Sequence, residues 1–323
     1  MGDITSTLPG YFGLTNIRAV KERGYYICRA ATGVYKIHKS LDTHQNIYDR
    51  HMLLAGLEDA GFPYTDAIIL TAQGDPFVQL GRETYVMTRH DWYTGSDLDL
   101  DNQTDMTLAL QTLARFHHAA RNLPLEQNFS ASSLLSDVFV RDAAFIAKTA
   151  KQISKNSRMS DFDVLFIKNT ALYENRAASS SEMLAQTNFH ALHDKAIAEN
   201  HICHNGLKEE AISILAGVCY ITGFNESAIG VQITDLANLL HRYARRSTHE
   251  MSLIQLLEIY DKVLPLPEDA TEIVRAYLTH PWQFVKIASL YYSKKRGWTP
   301  AAIMGRMSNL LEKQELYDAY IMQ

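Results

Sequence analysis

Two short stretches place side chains at the spacing that phosphoryl transfer uses. Residues 204–211 read His-Asn-Gly-Leu-Lys-Glu-Glu-Ala, and residues 220–225 read Tyr-Ile-Thr-Gly-Phe-Asn. On such a frame a carboxylate two positions after the histidine accepts the proton of the substrate hydroxyl. An amide five positions later holds a metal, and a second carboxylate before a phenylalanine on the next hairpin holds the metals that neutralise the phosphates. His204, Leu207, Lys208 and Phe224 are in register with this frame. The base position is Gly206, the amide position is Ala211 and the metal-carboxylate position is Gly223. None of the three carries a polar side-chain atom, so no catalytic group is intact and no metal site is expected. Loss of a single acid–base or electrostatic group costs on the order of 10²–10⁴ in rate. Loss of the base and both metal ligands together leaves only positioning.

Other reactive residues nearby have plainer readings. In His201-Ile202-Cys203-His204 a strand would put His201 and Cys203 on one side and His204 on the other, which disfavours a shared ion; His204 is expected to bond loop backbone. Glu209, Glu210 and Glu226 are candidate substitute metal ligands, with exposed loop charges as the plain reading. Asp235, in Ile-Thr-Asp-Leu at 233–236, is expected to cap a helix and tie down the loop backbone. His117 and His118 are adjacent on a helix, so one is expected to be packed and the other exposed.

The elements that must position these residues follow from pattern. Residues 24–30 and 34–39 are aromatic, β-branched or alternating, and form a hairpin about Thr32-Gly33. Residues 46–60 have helical spacing, with Ile47, Leu53, Leu54 and Leu57 on one face and Gly61 at the stop. Strands are expected at 67–70 and 84–88, with a short one at 77–80. Residues 93–97 are a connector. From Gln103 the chain is mostly helical, except for 201–229, which has short apolar runs separated by turns. The polar stretch 169–181 is expected to be an exposed loop or a helix junction.

The chain has 323 residues, 46% of them hydrophobic and 21% charged, with a net charge of -5. That is ample for a large core and argues against a general binder of nucleic acid or anionic membrane, which needs a basic footprint. Arg242, Arg245 and Arg246, and Lys294, Lys295 and Arg296, are local basic spots expected on solvated helix faces. Three cysteines cannot make a disulfide framework and suit a reducing compartment. The N-terminus lacks the basic and apolar regions of a signal peptide, and no run of 18 apolar residues is present, so neither export nor a membrane span is expected.

Taken in order, several pieces resemble the CotS-type spore coat proteins, within the kinase-like superfamily of aminoglycoside phosphotransferases and choline kinases. They are Gly33-Val34-Tyr35-Lys36, residues 57–63 (Leu-Glu-Asp-Ala-Gly-Phe-Pro), Leu113-Ala114-Arg115-Phe116-His117, the frame at 204–208, and residues 234–240 (Thr-Asp-Leu-Ala-Asn-Leu-Leu). The tail, with Pro281-Trp282-Gln283-Phe284, Tyr291-Tyr292 and Trp298, is the part most particular to the coat proteins. The resemblance implies an α+β, bilobal protein-kinase-like fold, with a β-rich N-terminal lobe at 1–92 and a helical C-terminal lobe at 93–323. In active relatives the positions of Gly206, Ala211 and Gly223 hold Asp, Asn and Asp.

The same resemblance makes Lys36 the candidate nucleotide-binding lysine, with Lys39 the alternative, and Met87 a second candidate nucleotide contact. The helix glutamate that would orient the lysine falls near Arg50 or His51; no Glu lies there and Asp49 is the nearest acid. The phosphate-covering loop falls in 16–24, where Gly24 is the sole glycine. The function implied is a non-catalytic, pseudokinase component of an endospore coat. It would be made in the cytoplasm and work through contacts with other coat proteins, with no cofactor, nucleic acid or membrane. Its 17 tyrosines would suit oxidative cross-linking there. The rivals are a phosphotransferase using ATP and Mg²⁺ on a small-molecule or protein hydroxyl, and a switch that binds nucleotide without metal.

Overall fold

The structure is a computed structural model that describes residues 4–22, 24–121, 123, 129–293 and 299–322. The chain divides into two compact units, Met1–Ser130 with Glu199–Ile229, and Ala131–Ala198 with Gly230–Gln323.

The first unit begins with a short helix, α1 (Ile4–Tyr11), then β1 (Val20–Glu22), β2 (Tyr25–Ala30), β3 (Gly33–Ser40), α2 (His44–Asp59), β4 (Ile68–Ile69), β5 (Val78–Leu80), β6 (Glu83–Arg89), β7 (Ser96–Asp97) and α3 (Gln103–Ala119). The main sheet is antiparallel, in the order β1-β2-β3-β6-β4, with β5 on the same edge of β6 as β4. Two elements before the expected hairpin escaped the sequence pattern. One is α1, which has Pro9 inside it; the other is β1, which supplies one strand before the expected hairpin. The β2–β3 turn requires glycine. Gly33 has φ +140°, and a Cβ there would lie 2.8 Å from Asp91 Oδ1.

Strand alternation gives the sheet two unlike faces. Cys28, Tyr35, Ile37, Tyr85 and Met87 face a cluster with Leu8, Phe12 and Ala19. Lys36, His38 and Ser40 point to the opposite face. There α2 buries Ile47, Arg50, Leu53, Leu54 and Leu57, after Thr43 caps its first turn by accepting from the Asn46 N–H.

The unit resumes with β8 (Ile202–Cys203), a 3-10 turn at Glu209–Ala211, β9 (Ile212–Leu215), β10 (Val218–Ile221), a 3-10 turn at Phe224–Glu226 and β11 (Ala228–Ile229). β10, β9 and β7 form a three-stranded sheet, so the end of the expected connector is a strand, and β8 pairs with β11. A parallel bridge between Thr65 and Ile221, with the Ile221 N–H donating to Tyr64 O at 2.9 Å, ties β10 to the segment before β4.

The second unit is helical: α4 (Leu135–Ile153), α5 (Asp161–Ala185), α6 (Phe189–Ala198), α7 (Ile233–Arg246), α8 (Leu253–Asp261), α9 (Ala270–Thr279), α10 (Trp282–Tyr292), α11 (Pro300–Glu312) and α12 (Gln314–Ile321). The polar stretch 169–181 is neither a loop nor a junction but the interior of α5. Its buried stripe of Phe162, Phe166, Tyr173, Ala177, Ser180 and Leu184 keeps helical spacing, and the polar residues occupy the remaining face. Tyr291 and Tyr292 are packing residues here. Tyr291 stacks on Phe162 at 4.0 Å and donates to Ser160 Oγ, and Tyr292 donates to Asp163 Oδ1, so both hold the capping box of α5. Trp298, Lys294, Lys295 and Arg296 lie outside the described residues.

A buried hydrogen-bond relay crosses this unit. His280 Nε2 lies 3.2 Å from Asp142 Oδ2, and its Nδ1 lies 3.1 Å from Ser180 Oγ. With Asp142 ionised, Nε2–H donates to the carboxylate, and Nδ1 faces the Ser180 hydroxyl, which also donates to Ala177 O at 2.9 Å. The order matches a nucleophile triad, but Ser180 is 0% exposed and the imidazole is sealed between Phe139 and Trp282, so the relay is a tie among helices.

Candidate functional site

The frame read at 204–225 is assembled in the first unit. His204 is fully buried. Its Nε2 lies 2.9 Å from Thr222 O, and the Gly206 N–H reaches its Nδ1 at 3.2 Å. Those two partners fix the tautomer: Nε2 carries the hydrogen and donates, while Nδ1 accepts. Phe224 packs on the imidazole at 4.7 Å and on Phe116 at 5.3 Å, and Leu207 is fully buried beneath the loop. Lys208 is exposed, and its carbonyl accepts the Ala211 N–H at 2.9 Å. His117 is buried and His118 exposed, as adjacency on a helix demands.

Gly206, Ala211 and Gly223 are held by backbone alone. Ala211 O accepts the Thr222 N–H at 2.8 Å. Gly223 adopts φ 81°, ψ 43°, in the left-handed region, and a Cβ there would meet nothing within 4 Å. A Cβ on Gly206 would lie 3.5 Å from Cβ, Cδ and Oε2 of Glu226. Glu226 and Glu210 are exposed, whereas Glu209 is buried, contrary to its reading as a loop charge. The pair expected on one strand also differs: β8 covers only Ile202 and Cys203, and His201 Nε2 pairs with Glu199 Oε2 at 2.9 Å. Among the described residues, no group of three or more His, Cys, Asp or Glu side chains converges to hold a metal ion.

Lys36 and Met87 do not share a face. Met87 is 0% exposed and seated in the cluster with Ile37, so it is a core residue rather than a ligand contact. Lys36 is half-buried on the other face, with its ammonium 4.7 Å from the centre of the Tyr25 ring. Lys39 points away from Lys36 and pairs with Glu83.

At the place of the missing helix glutamate stands a buried arginine. Arg50 Nη1 donates to Asp42 Oδ2 at 2.8 Å, and Nη2 is buried with no hydrogen-bond partner among the described residues. The same Asp42 oxygen accepts from Ser40 Oγ at 3.0 Å and from Asn225 Nδ2 at 3.1 Å, which ties α2 to the turn after Gly223. Burial pushes the Asp42 carboxyl up, but the hydrogen bond and charge of Arg50 outweigh it and hold the group below its ordinary value. Asp66 accepts the Gly223 N–H. Burial raises its pKa against the opposing pull of Arg50 and those backbone donors. His38 is pushed down to about 4, first by burial and then by Lys36 and Arg50. Asp49, the nearest acid in sequence, bonds Gln45 on the surface of α2 instead.

Residues 5–323 match the family described as "Spore coat putative kinase YutH". The chain belongs to this family. It is similar in structure to an aminoglycoside phosphotransferase from Alicyclobacillus acidocaldarius, at 16% identity and TM-score 0.81 over 94% of this chain and 90% of that one. It is also similar to an AMP-bound spectinomycin phosphotransferase, at 13% identity and TM-score 0.70 over 98% and 96%. A choline/ethanolamine kinase family protein from Mesorhizobium loti aligns at 13% identity and TM-score 0.52 over 98% and 95%. No curated protein matches the sequence. The YutH-family chain thus has the kinase-like fold of these enzymes, with a small antiparallel sheet and a large helical part, as its sequence motifs implied.

Within that fold the family member keeps the groups that shape the loop. The side chains that sequence reasoning missed, Asp42, Asp66, Asn225 and the inward turn of Arg50, come together only through tertiary contacts. The sole sequence hint was the absence of Glu near position 50. Asp235 lies in the second unit, buried in the first turn of α7; the N-cap is Gln232, so Asp235 is not the cap itself.

Proposed function

We propose that this protein is a non-catalytic kinase-fold component of the bacterial spore coat, acting in coat assembly through contacts with other coat proteins and requiring no cofactor. One observation carries the non-catalytic part: the positions of the base and of both metal ligands are occupied by residues whose backbone alone is used, while His204, Leu207 and Phe224 still pack the loop. Glu226 is the carboxylate nearest the base position, but it is exposed and no metal-holding group accompanies it among the described residues. The coat assignment rests on family membership.

A second reading, nucleotide held without metal, has its own support in Lys36, a half-buried ammonium whose neighbour is an aromatic ring rather than a carboxylate. Thermal unfolding of the full chain with ATP, with and without Mg²⁺, separates the readings. No shift, with copurification of coat proteins, supports the scaffold. A shift that depends on Mg²⁺ overturns the non-catalytic reading in favour of an ATP- and Mg²⁺-dependent phosphotransferase. A metal-independent shift abolished by Lys36→Ala establishes the nucleotide switch.

A further inference from the structure

Arg242, Arg245 and Arg246 do not form the solvated face their spacing predicts: Arg246 is exposed, while Arg242 and Arg245 are half-buried. One turn before Arg245 on the same face of α7, the His241 ring packs edge-on to Tyr317 at 5.9 Å and to Tyr277 at 6.2 Å. Arg176 reaches the same Tyr317 from α5, its guanidinium carbon 5.7 Å from the ring centre, and pairs with Asp318. Asp318 also accepts from Gln314 Nε2 at 2.9 Å, so its acceptor capacity is divided. Arg245 makes no hydrogen bond or ion pair among the described residues, although Tyr317, Tyr173 and two further arginines are near enough to move its pKa.

Arg176 therefore covers the Tyr317 ring and pairs with Asp318, while Arg245 stands one turn beyond His241, the ring's neighbour on α7. Neither neighbouring tyrosine supplies a charge: burial holds the Tyr317 hydroxyl un-ionised, and it donates to Leu278 O at 2.6 Å. His241 stays neutral, driven down by burial and then by Arg245, Arg242 and Arg176. A partly desolvated guanidinium without an acceptor is costly, and its planar fork fits an oxyanion by two parallel hydrogen bonds.

We propose that the helical unit binds an oxyanion of phosphate or sulfate geometry through Arg245, with Arg176 and the edge of Tyr317 beside it. The site is independent of the loop at 204–225 and of any nucleotide held by Lys36. Asp318 limits it to one such group by neutralising Arg176, and its partial exposure, 28%, leaves a route from solvent.

The test is thermal unfolding of the full chain in rising sodium phosphate against sodium chloride of equal ionic strength. The expected result is a saturable rise of about 2–4 °C specific to phosphate, reproduced by sulfate, lost in Arg245→Gln and kept in Arg246→Gln and Lys36→Ala. In addition, Arg245→Gln without anion should be at least as stable as the parent, because it removes an unpaired charge. A phosphate response no larger than that of chloride, or one that survives Arg245→Gln, overturns the proposal. A response lost in Lys36→Ala instead would assign the anion to the other unit and overturn it equally.

Discussion

The carboxylate of Glu226 lies against Gly206, its Oε2 3.5 Å from where a Cβ of that glycine would stand. Restoring the base by Gly206→Asp would therefore set two like charges side by side. The variant carrying Gly206→Asp, Ala211→Asn and Gly223→Asp should still fold. The space at Gly223 is open, and Asp is among the few residues that tolerate left-handed backbone, at a cost of about 1 kcal/mol. Adding Glu226→Gln to the triple variant should raise its stability by roughly 0.5 kcal/mol, as expected for relief of an exposed like-charge pair. Urea midpoints of the two variants measure this, and an unchanged or lower midpoint on adding Glu226→Gln would contradict the contact. ADP release by the quadruple variant would then report whether only these groups were missing.

Arg50 holds Asp42, which holds Asn225. Breaking one partner of a buried pair leaves the other uncompensated. Arg50→Ala should cost about 2–4 kcal/mol, reduced somewhat by the partial exposure of Asp42. Arg50→Glu should cost more, because it adds a carboxylate beside Asp42 and Asp66. Equal unfolding midpoints for the two variants would show that charge inversion is not what holds α2.

Acid should weaken the protein before it protonates ordinary carboxylates. His38 titrates near 4 in the folded chain and near 6.5 when unfolded, so between those values the unfolded state binds the extra proton. Stability is fully present above pH 6.5 and falls as pH drops toward 4, by at most about 3 kcal/mol. His90, also pushed down to about 4, first by burial and then by Lys36, acts in the same direction. His38→Gln should flatten the pH 4–6.5 slope of the denaturation free energy; an unchanged slope would place the titrating group elsewhere.

Removing His280 should be among the most damaging single changes in the helical unit. His280→Phe preserves bulk and the stack on Phe139 but strips Asp142 of its buried partner, while Ser180 keeps Ala177 O. A loss of about 2–4 kcal/mol is expected, and Asp142→Asn introduced into that background should recover part of it. A double variant no better than His280→Phe alone would show that the stranded carboxylate is not the source of the loss.

Much of this molecule was legible because its informative residues are local. His204, Leu207 and Phe224 announce the loop by spacing, and Ile47, Leu53, Leu54 and Leu57 announce α2 by period. What failed was non-local or masked by composition. The buried stripe of α5 runs through Ala177 and Ser180, small residues whose apolar signal is too faint to cancel the polar ones around them. Pro9 disguised α1, because proline inside a helix removes a backbone donor and reads as a break. The resemblance made Lys36 and Met87 candidate contacts of one nucleotide, and only pairing of Met87 with Ile37 across β6 and β3 shows that they are on opposite sides. No pattern within one segment could have joined Arg50 to Asp42 and Asn225, which are 8 and 183 residues apart from their respective partners.

Because the structural duties at 206, 211 and 223 fall on main-chain atoms, the side chains at these positions can vary without loss of this fold. A lineage could discard each of those side chains without passing through an unfolded ancestor, since no neighbour leans on them. The histidine and phenylalanine beside them enjoy no such freedom, for they are mortar as well as ornament. Decay of an enzyme on this scaffold should therefore proceed by a preferred route, erasing the reagents first and the loop last.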